Sequence, residues 1–215
     1  MATKPKLFVT TDDVSPKLFE SPILDFFTRI PWWVPIVVFL PVIVYFFYQG
    51  IVIDKISVWP ATITCVSGLL FWSFFEYCVH RFLFHAHPTN PILKAIHYTF
   101  HGIHHDYPQD TLRLVMPLSV SIPLSTLIYL GMGWLFRQFD LEQYHHLFFA
   151  TFMLGYLFYD EMHYASHHVN FKFKWFQAIK KQHMKHHFVE PDSGFGFTSK
   201  LWDWVFKTDF PEKKK

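Results

Sequence analysis

VWPATITCVSGLLFWSFFEYCVHRFLFH, residues Val58–His85, is a long apolar run that closes on two histidines. Val58 to Phe75 carries no formal charge, and Glu76, His80 and His85 follow at once. About twenty apolar residues cross a bilayer as a helix. The stretch therefore reads as a marginal-length membrane span with polar chemistry at its exit. Three further apolar stretches stand around it. Trp33–Ile53 and Leu114–Phe136 hold no formal charge and are long enough to span. Leu147–Tyr159 is short and ends in Asp160-Glu161, and reads as a span whose lower end leaves the lipid. Pro35, Pro41, Pro117 and Pro123 interrupt these stretches. Prolines are tolerated in membrane helices because neighbours re-satisfy the freed carbonyls, and Pro35 and Pro117 suit first turns.

Composition agrees with spans. Hydrophobic residues are 51% of the chain and aromatics 21%, with 27 phenylalanines, while charged residues are 17%. Soluble domains carry about 25% charge. A net charge of +2 gives a nucleic-acid partner little support. Cys65 and Cys78, both inside one apolar stretch, read as small core residues and not as a disulfide or thiolate site. The first thirty residues mix Lys4, Lys6 and Lys17 with Asp12, Asp13 and Glu20, with no apolar run after a basic start, so no cleavable signal is expected.

Of the 19 lysines and arginines, all but Lys55 and Arg137 fall before the first span, between the second and third, or after the fourth. Basic loops stay cytosolic. Four spans with both termini cytosolic follow. The organisation expected is a cytosolic segment 1–32, a membrane region 33–170 including a cytosolic histidine loop 80–113, and an interfacial cytosolic segment 171–215, together one catalytic domain. In the last, Phe171-Lys172-Phe173-Lys174-Trp175-Phe176 interleaves aromatics with lysines, as at a headgroup boundary. Trp202, Trp204, Phe206 and Phe210 repeat the pattern.

The 15 histidines are the outlier, and all but His145 and His146 lie on the expected cytosolic side. His80 and His85 are five apart at the exit of span two. His101, His104 and His105 form H-x-x-H-H. His163 and His167 are four apart at the exit of span four, with His168 adjoining. His183, His186 and His187 form a second H-x-x-H-H. Residues i, i+3 and i+4 share a helix face, so each H-x-x-H-H is expected to present three imidazoles in one direction. His80 and His85 stand about 140° apart on a regular helix and need a bend or a helix end to converge. Ten clustered imidazoles exceed the needs of one ion, and two metal ions account for them. Imidazole suits iron, zinc, copper and nickel alike. Ligating imidazoles usually donate their second N–H to a carboxylate or carbonyl. Asp160, three residues before His163, is the preferred partner, with Glu76 and His168 as further candidates, and Asp106, Asp110 and Glu161 lie close by. The fold class expected is an all-α integral membrane protein: four transmembrane helices with a cytosolic helical dome carrying a histidine-rich dimetal site.

These residues are similar to the fatty acid 2-hydroxylases within the fatty acid hydroxylase and sterol desaturase superfamily, from about Pro22 to Thr208. The matching strings are Phe74-Phe75-Glu76-Tyr77, His80-Arg81-Phe82-Leu83-Phe84-His85, His101-Gly102-Ile103-His104-His105 and Pro108-Gln109-Asp110. Arg113-Leu114-Val115, Tyr159-Asp160, His163-Tyr164, His167-His168, Gly194-Phe195-Gly196-Phe197-Thr198-Ser199 and Leu201-Trp202-Asp203 continue them. The histidine groups mark the superfamily. The stretch Pro108–Pro117 and the Gly-Phe-Gly string narrow it.

The resemblance implies an O2-dependent monooxygenase with two metal ions, iron physiologically, although zinc can occupy such sites in a purified protein. It implies hydroxylation at carbon 2 of a long acyl chain, free or within ceramide or dihydroceramide, for sphingolipid synthesis. The ligands it carries over are His80, His85, His101, His104, His105, His163, His167, His183, His186 and His187. Segment 1–32 is too short for the N-terminal cytochrome b5 domain of some members. The form resembled lacks it, which implies an external donor such as cytochrome b5 with its reductase. The lysines at 172, 174, 180, 181 and 185 suggest where an acidic donor docks. An endoplasmic reticulum membrane address rests on the family, because Glu212-Lys213-Lys214-Lys215 matches a lysine-type retrieval signal only in part; in a prokaryote the address is the inner membrane. Lys207 stands where a glycine is common, and Leu118 replaces a frequent second proline.

Side chains alone cannot oxidise an unactivated C–H bond, so a cofactor must carry that chemistry. An apolar channel between the spans would take the acyl tail. Three other readings stay open: a sterol desaturase or hydroxylase of the same superfamily, a zinc-dependent membrane hydrolase, and a metal transporter. Zinc has no redox chemistry. A transporter should line a path through its spans, whereas these histidines gather at one face.

Overall fold

Local sequence sets where each helix begins. Ser21-Pro22 and Asn90-Pro91 pair a capping oxygen with a proline at the first helical position. They open α1 (Pro22–Phe26) and α4 (Pro91–His97), and Asn90 accepts from Ile92 N at 2.8 Å. The computed structural model describes residues 6–211, so Lys4 and the run 212–215 lie outside the described residues. No strand occurs among the described residues.

The long helices are α2 (Trp33–Tyr48, continued by a π-helical turn to Ile53), α3 (Val58–Cys78, continued by another through Phe84), α6 (Leu118–Arg137) and α7 (His145–His168). The short α5 (Ile103–Asp106) follows a π-helical turn over Tyr98–Gly102, and α8 (Lys174–Phe188) and α9 (Leu201–Phe206) build the C-terminal part. Pro41 and Pro123 sit inside α2 and α6 without ending them. Pro117 caps α6 in extended conformation, so the third apolar helix starts at Leu118 and not at Leu114. Residues before a proline favour extended backbone, and Leu114–Met116 run beneath the dome instead.

Among the described residues, three helices are long and apolar enough to cross a membrane: Trp33–Ile53, Val58–Phe84 and Leu118–Arg137. α7 differs. It has 24 residues, about 36 Å of helix, so it reaches well past Tyr159, where its apolar sequence stops. α2, α3 and α6 all pack on it, and Leu147, Phe149, Phe152, Met153 and Tyr156 are buried among them. A helix screened from lipid by its neighbours can carry Asp160, Glu161 and histidines that an exposed span could not. His145, on the side away from the ligand groups, is buried. It packs on Tyr129 and meets that residue's carbonyl at 3.0 Å through Nε2. His146 faces Asp54 at 2.8 Å.

Close approach between α3 and α7 depends on small residues, as is usual in membrane bundles. A Cβ on Gly155 would fall 2.5 Å from the Trp72 ring. Lys207 ends α9 in the left-handed region, φ 56°, which explains why glycine is common at that position.

Overpacking costs about 1–3 kcal/mol. Gly155→Val is therefore expected to lower the unfolding temperature in detergent, whereas Gly131→Val, whose Cβ meets nothing within 4 Å, should not. Equal unfolding temperatures would show that the α3–α7 contact does not limit stability.

Candidate metal centre

The spacing problem of His80 and His85 is solved by the backbone. His85 N–H donates to the His80 carbonyl at 3.0 Å, an i to i+5 bond that widens the helix by one residue. In that wider turn positions five apart align, and the two ring centroids stand 4.9 Å apart. The loop 86–90 then returns the chain so that His101, His104 and His105 meet α7 and α8 from the other side.

All ten expected ligands converge, in two groups of five. His80, His85, His101, His105 and His186 form centre A; His104, His163, His167, His183 and His187 form centre B. Within each group the ligand atoms lie within 4.8 Å of one another. The single direction expected for each H-x-x-H-H is corrected here. His101 and His105, four apart, share centre A, while His104 turns into B. His183 and His187, again four apart, share B, while His186 turns into A. Successive helical residues diverge by about 100°, so each triplet straddles the two centres, and His105 stacks on His187 at 4.1 Å across the boundary.

The donor sets fit metal ions. Metal–imidazole bonds of about 2.0–2.1 Å place neighbouring nitrogens about 3 Å apart. In centre A, Nε2 of His101 lies 3.3, 3.2 and 3.0 Å from Nε2 of His80, His85 and His105, and His186 lies 2.9 Å from His85. In centre B, His167 and His183 meet at 2.9 Å. Nε2 of His104, His163 and His187 is buried with no hydrogen-bond partner. Buried polar atoms are normally satisfied, and a bound cation would satisfy these. Five nitrogens leave a six-coordinate ion one open position.

Backbone carbonyls orient three of the ligands. Nδ1–H of His80 donates to the Phe195 carbonyl at 2.5 Å, that of His186 to Ser193 at 2.9 Å, and that of His163 to Leu114 at 3.2 Å. This fixes Nε2 as the coordinating atom. The carboxylates expected to do this act one step away. Glu76 accepts from the amides of Phe197 and Thr198 at 2.7 and 2.9 Å and from the Thr198 hydroxyl. Asp160 accepts from the Met116 amide at 3.1 Å and from the Tyr156 hydroxyl at 3.1 Å. Neither touches an imidazole; each holds the segment whose carbonyl does. His168 lies outside both centres, stacked on Tyr164 at 4.6 Å. His87 faces Asp192 on the surface, and His97 joins neither group.

Asp203, which entered above only within the string Leu201-Trp202-Asp203, has a supporting role that the string did not reveal. It is fully buried and accepts from the amides of Phe195 and Gly196 at 2.9 and 2.8 Å and from the Thr208 hydroxyl at 2.8 Å. Together with Glu76 it fixes the Gly194–Thr198 loop. Gly194 has φ 69°, and a Cβ there would meet the Phe210 ring. The Gly-Phe-Gly string was the available signal, seen without a role. Phe197 packs its ring on His163 and His183, and Phe84 stacks on His101.

Electrostatics keep the imidazoles neutral, as ligands must be. Burial, then the neighbouring imidazoles of His186 and His105, pushes His85 down to about 2. Burial lowers His186 to about 4 against the opposing Ser193 carbonyl and Asp192. His101, His104, His105, His183 and His187 are held well below the ordinary value by burial first and by adjacent imidazoles second.

Two cavities meet at the centres and share Phe84, Met116 and Tyr159. The upper chamber touches His101, His104 and His163 and is framed by α1 and α4. The second cavity touches His80 and descends between α3, α6 and α7, lined almost wholly by apolar groups.

Residues 65–208 match the fatty acid hydroxylase family model. The chain is 38% identical over 195 residues, covering 90% of itself and 79% of the relative, to the dihydroceramide fatty acyl 2-hydroxylase FAH2 of Arabidopsis thaliana. It is 33% identical over 218 residues, covering 92% of itself and 57% of the relative, to the fatty acid 2-hydroxylase of Mus musculus. A solved structure, full-length scs7p with only the hydroxylase domain visible, superposes with a TM-score of 0.79 at 34% identity, covering 87% of this chain and 70% of that one.

The division into two groups of five makes a selective prediction. His186→Ala should lower the content of centre A and His183→Ala that of centre B, each leaving the other centre's metal, as read by elemental analysis of protein purified without chelators. His145→Ala should lose neither. Loss of both metals from each ligand variant alike would contradict two separable centres.

Proposed function

The chain belongs to the fatty acid hydroxylase family, and on that premise we propose that it is a fatty acid 2-hydroxylase acting on a long acyl group, free or within a ceramide or dihydroceramide. One observation carries the reading: His80 of centre A lines one end of an apolar cavity whose other walls run down α3, α6 and α7. An acyl tail lowered into that cavity leaves its polar head in the chamber above. Only carbons beside the head then reach the metals, and such positioning sets regiochemistry.

Iron, held by the five histidines of each centre, would supply activation of O2. The balanced reaction takes up O2, two electrons and two protons, leaves one oxygen atom at carbon 2 and releases the other as water. The residues of this chain hold and shield. Glu76 and Asp203 hold the loop whose Phe195 carbonyl aims His80, and Asp160 holds the segment whose Leu114 carbonyl aims His163, while Phe84, Phe195 and Phe197 cover the imidazoles with apolar rings. A dry, apolar surround limits side reactions of reactive species.

We place the dome on the cytosolic face. Both ends of the described chain lie against it, through Val9 N to Asp106 O at 2.9 Å and Tyr77 to Thr208 at 3.0 Å. Ends on one side would take an even number of crossings, with α7 as the fourth. The address is the endoplasmic reticulum membrane in a eukaryote and the inner membrane in a bacterium. The electron donor we propose is cytochrome b5 with its reductase. Lys180 donates to the Val169 carbonyl and Lys185 lies over Phe210, so Lys172, Lys174 and Lys181 are the exposed cations left to meet an acidic donor. Contacts of that kind are screened over about 8–10 Å at physiological salt.

Cells expressing the chain and fed deuterium-labelled saturated fatty acid should yield lipids carrying a hydroxyl at carbon 2 as one stereoisomer, read by mass spectrometry and chiral chromatography. A mid-chain hydroxyl, or a double bond without oxygen, would promote the desaturase reading. Reversal of Lys172, Lys174 and Lys181 to Glu should slow reduction of the metals by the donor without loss of metal. Unchanged rates would move the docking face elsewhere.

A further inference from the structure

The apolar cavity below centre A has walls of unequal kind. On α3, Trp72 and Val79 face it; on α7, Phe152 and Tyr156 do. These two helices pack closely on each other. The third wall is α6, which presents Ser121, Leu124, Ser125 and Ile128, the i, i+3, i+4, i+7 face of one helix. α6 packs against α7 but not closely against α3. Ser125, half-buried, leaves the mouth of the passage between α6 and α3 free of bulk, and Ser121, one turn nearer the centres, is buried and lines its inner end. The Ser125 hydroxyl is turned back onto the Ile122 carbonyl at 3.0 Å, so it offers the cavity little polarity. Leu124, on the same face, is 38% exposed, so this wall reaches the lipid side of the bundle.

Depth is limited. Trp72 precedes His80 by two turns of α3, about 12 Å along the helix, against roughly 15 Å for one leaflet of a 30 Å hydrocarbon core. Below it Phe152, Phe149 and Met132 close the bundle as a packed core.

We propose that this cavity is an open-sided slot: an acyl chain slides in sideways between α3 and α6, past Ser121 and Ser125, and only its first part is gripped while its methyl end stays in the bilayer. The slot then selects a slender saturated chain next to carbon 2 and does not measure total length. Ser121 and Ser125 are the specificity-determining positions, because they set the width of the passage. The proposal rests on the 2-hydroxylase reading.

The test uses the full chain in cells fed labelled palmitic and lignoceric acids. A closed pocket that measured length would discriminate about tenfold or more for even a single methylene; the slot predicts that wild type converts the two chains with less than that difference. Ser125→Trp should lower conversion of both chains by about tenfold or more, with metal content kept. Ile128→Trp, filling the slot from its deep end, should do the same and guards against a folding defect peculiar to position 125. Leu127→Trp, on the lipid-facing side of α6 at 67% exposure, should convert as wild type does. Normal conversion by metal-loaded Ser125→Trp and Ile128→Trp, or a sharp length cut-off in wild type, overturns the slot. Absence of any 2-hydroxy product from wild type overturns the 2-hydroxylase reading instead.

Discussion

Ten imidazoles crowd into one buried region, and their nitrogens have too few protein partners. Nε2 of His104, His163 and His187 has none, and the Nε2 atoms of centre A meet only one another. A buried polar atom left unsatisfied costs about 1–3 kcal/mol, and protonation is no escape because like charges would adjoin at about 3 Å separation. Coordination to cations removes both difficulties together. The dome is thus built around metal binding, and much of the remaining structure serves to hold the rings where a cation can join them.

That requirement explains the layered support. Each oriented imidazole leans on a backbone carbonyl, and for His80 and His163 that carbonyl belongs to a segment pinned by a buried carboxylate. Asp203 and Glu76 pin the Gly194–Thr198 loop for centre A, and Asp160 pins Met116 near Leu114 for centre B. A metal centre at the mouth of an apolar bundle can then act beside a lipid headgroup without exposing its ligands. α7 can carry this chemistry because α2, α3 and α6 shield it from lipid.

Much of this was legible in the sequence, because it rests on periodicity. Apolar length marked α2, α3 and α6, and the four histidine groups marked all ten imidazoles that converge. Which histidine serves which centre was not legible. That depends on the π-helical turn joining His80 to His85 and on the angle between adjacent residues of each triplet. The carbonyl anchors at Ser193, Phe195 and Leu114 were hidden because any residue supplies a carbonyl; only the fold selects them. Asp160 and Glu76 drew notice as acids beside ligands, yet proximity in sequence did not reveal that they bond the neighbouring backbone. α7 read as a short span because its polar end is hidden by tertiary packing, which hydropathy cannot see.

With redox metals bound, the paired imidazole centres would activate O2 beside a lipid. Turnover of the iron-loaded protein under oxygen-18 gas, in ordinary water with a reductant and donor, tests this most directly. The account predicts that the new hydroxyl at carbon 2 carries the heavy isotope. A hydroxyl oxygen drawn from water, or turnover that proceeds without O2 and reductant, would contradict it and favour hydrolytic chemistry at the same histidines.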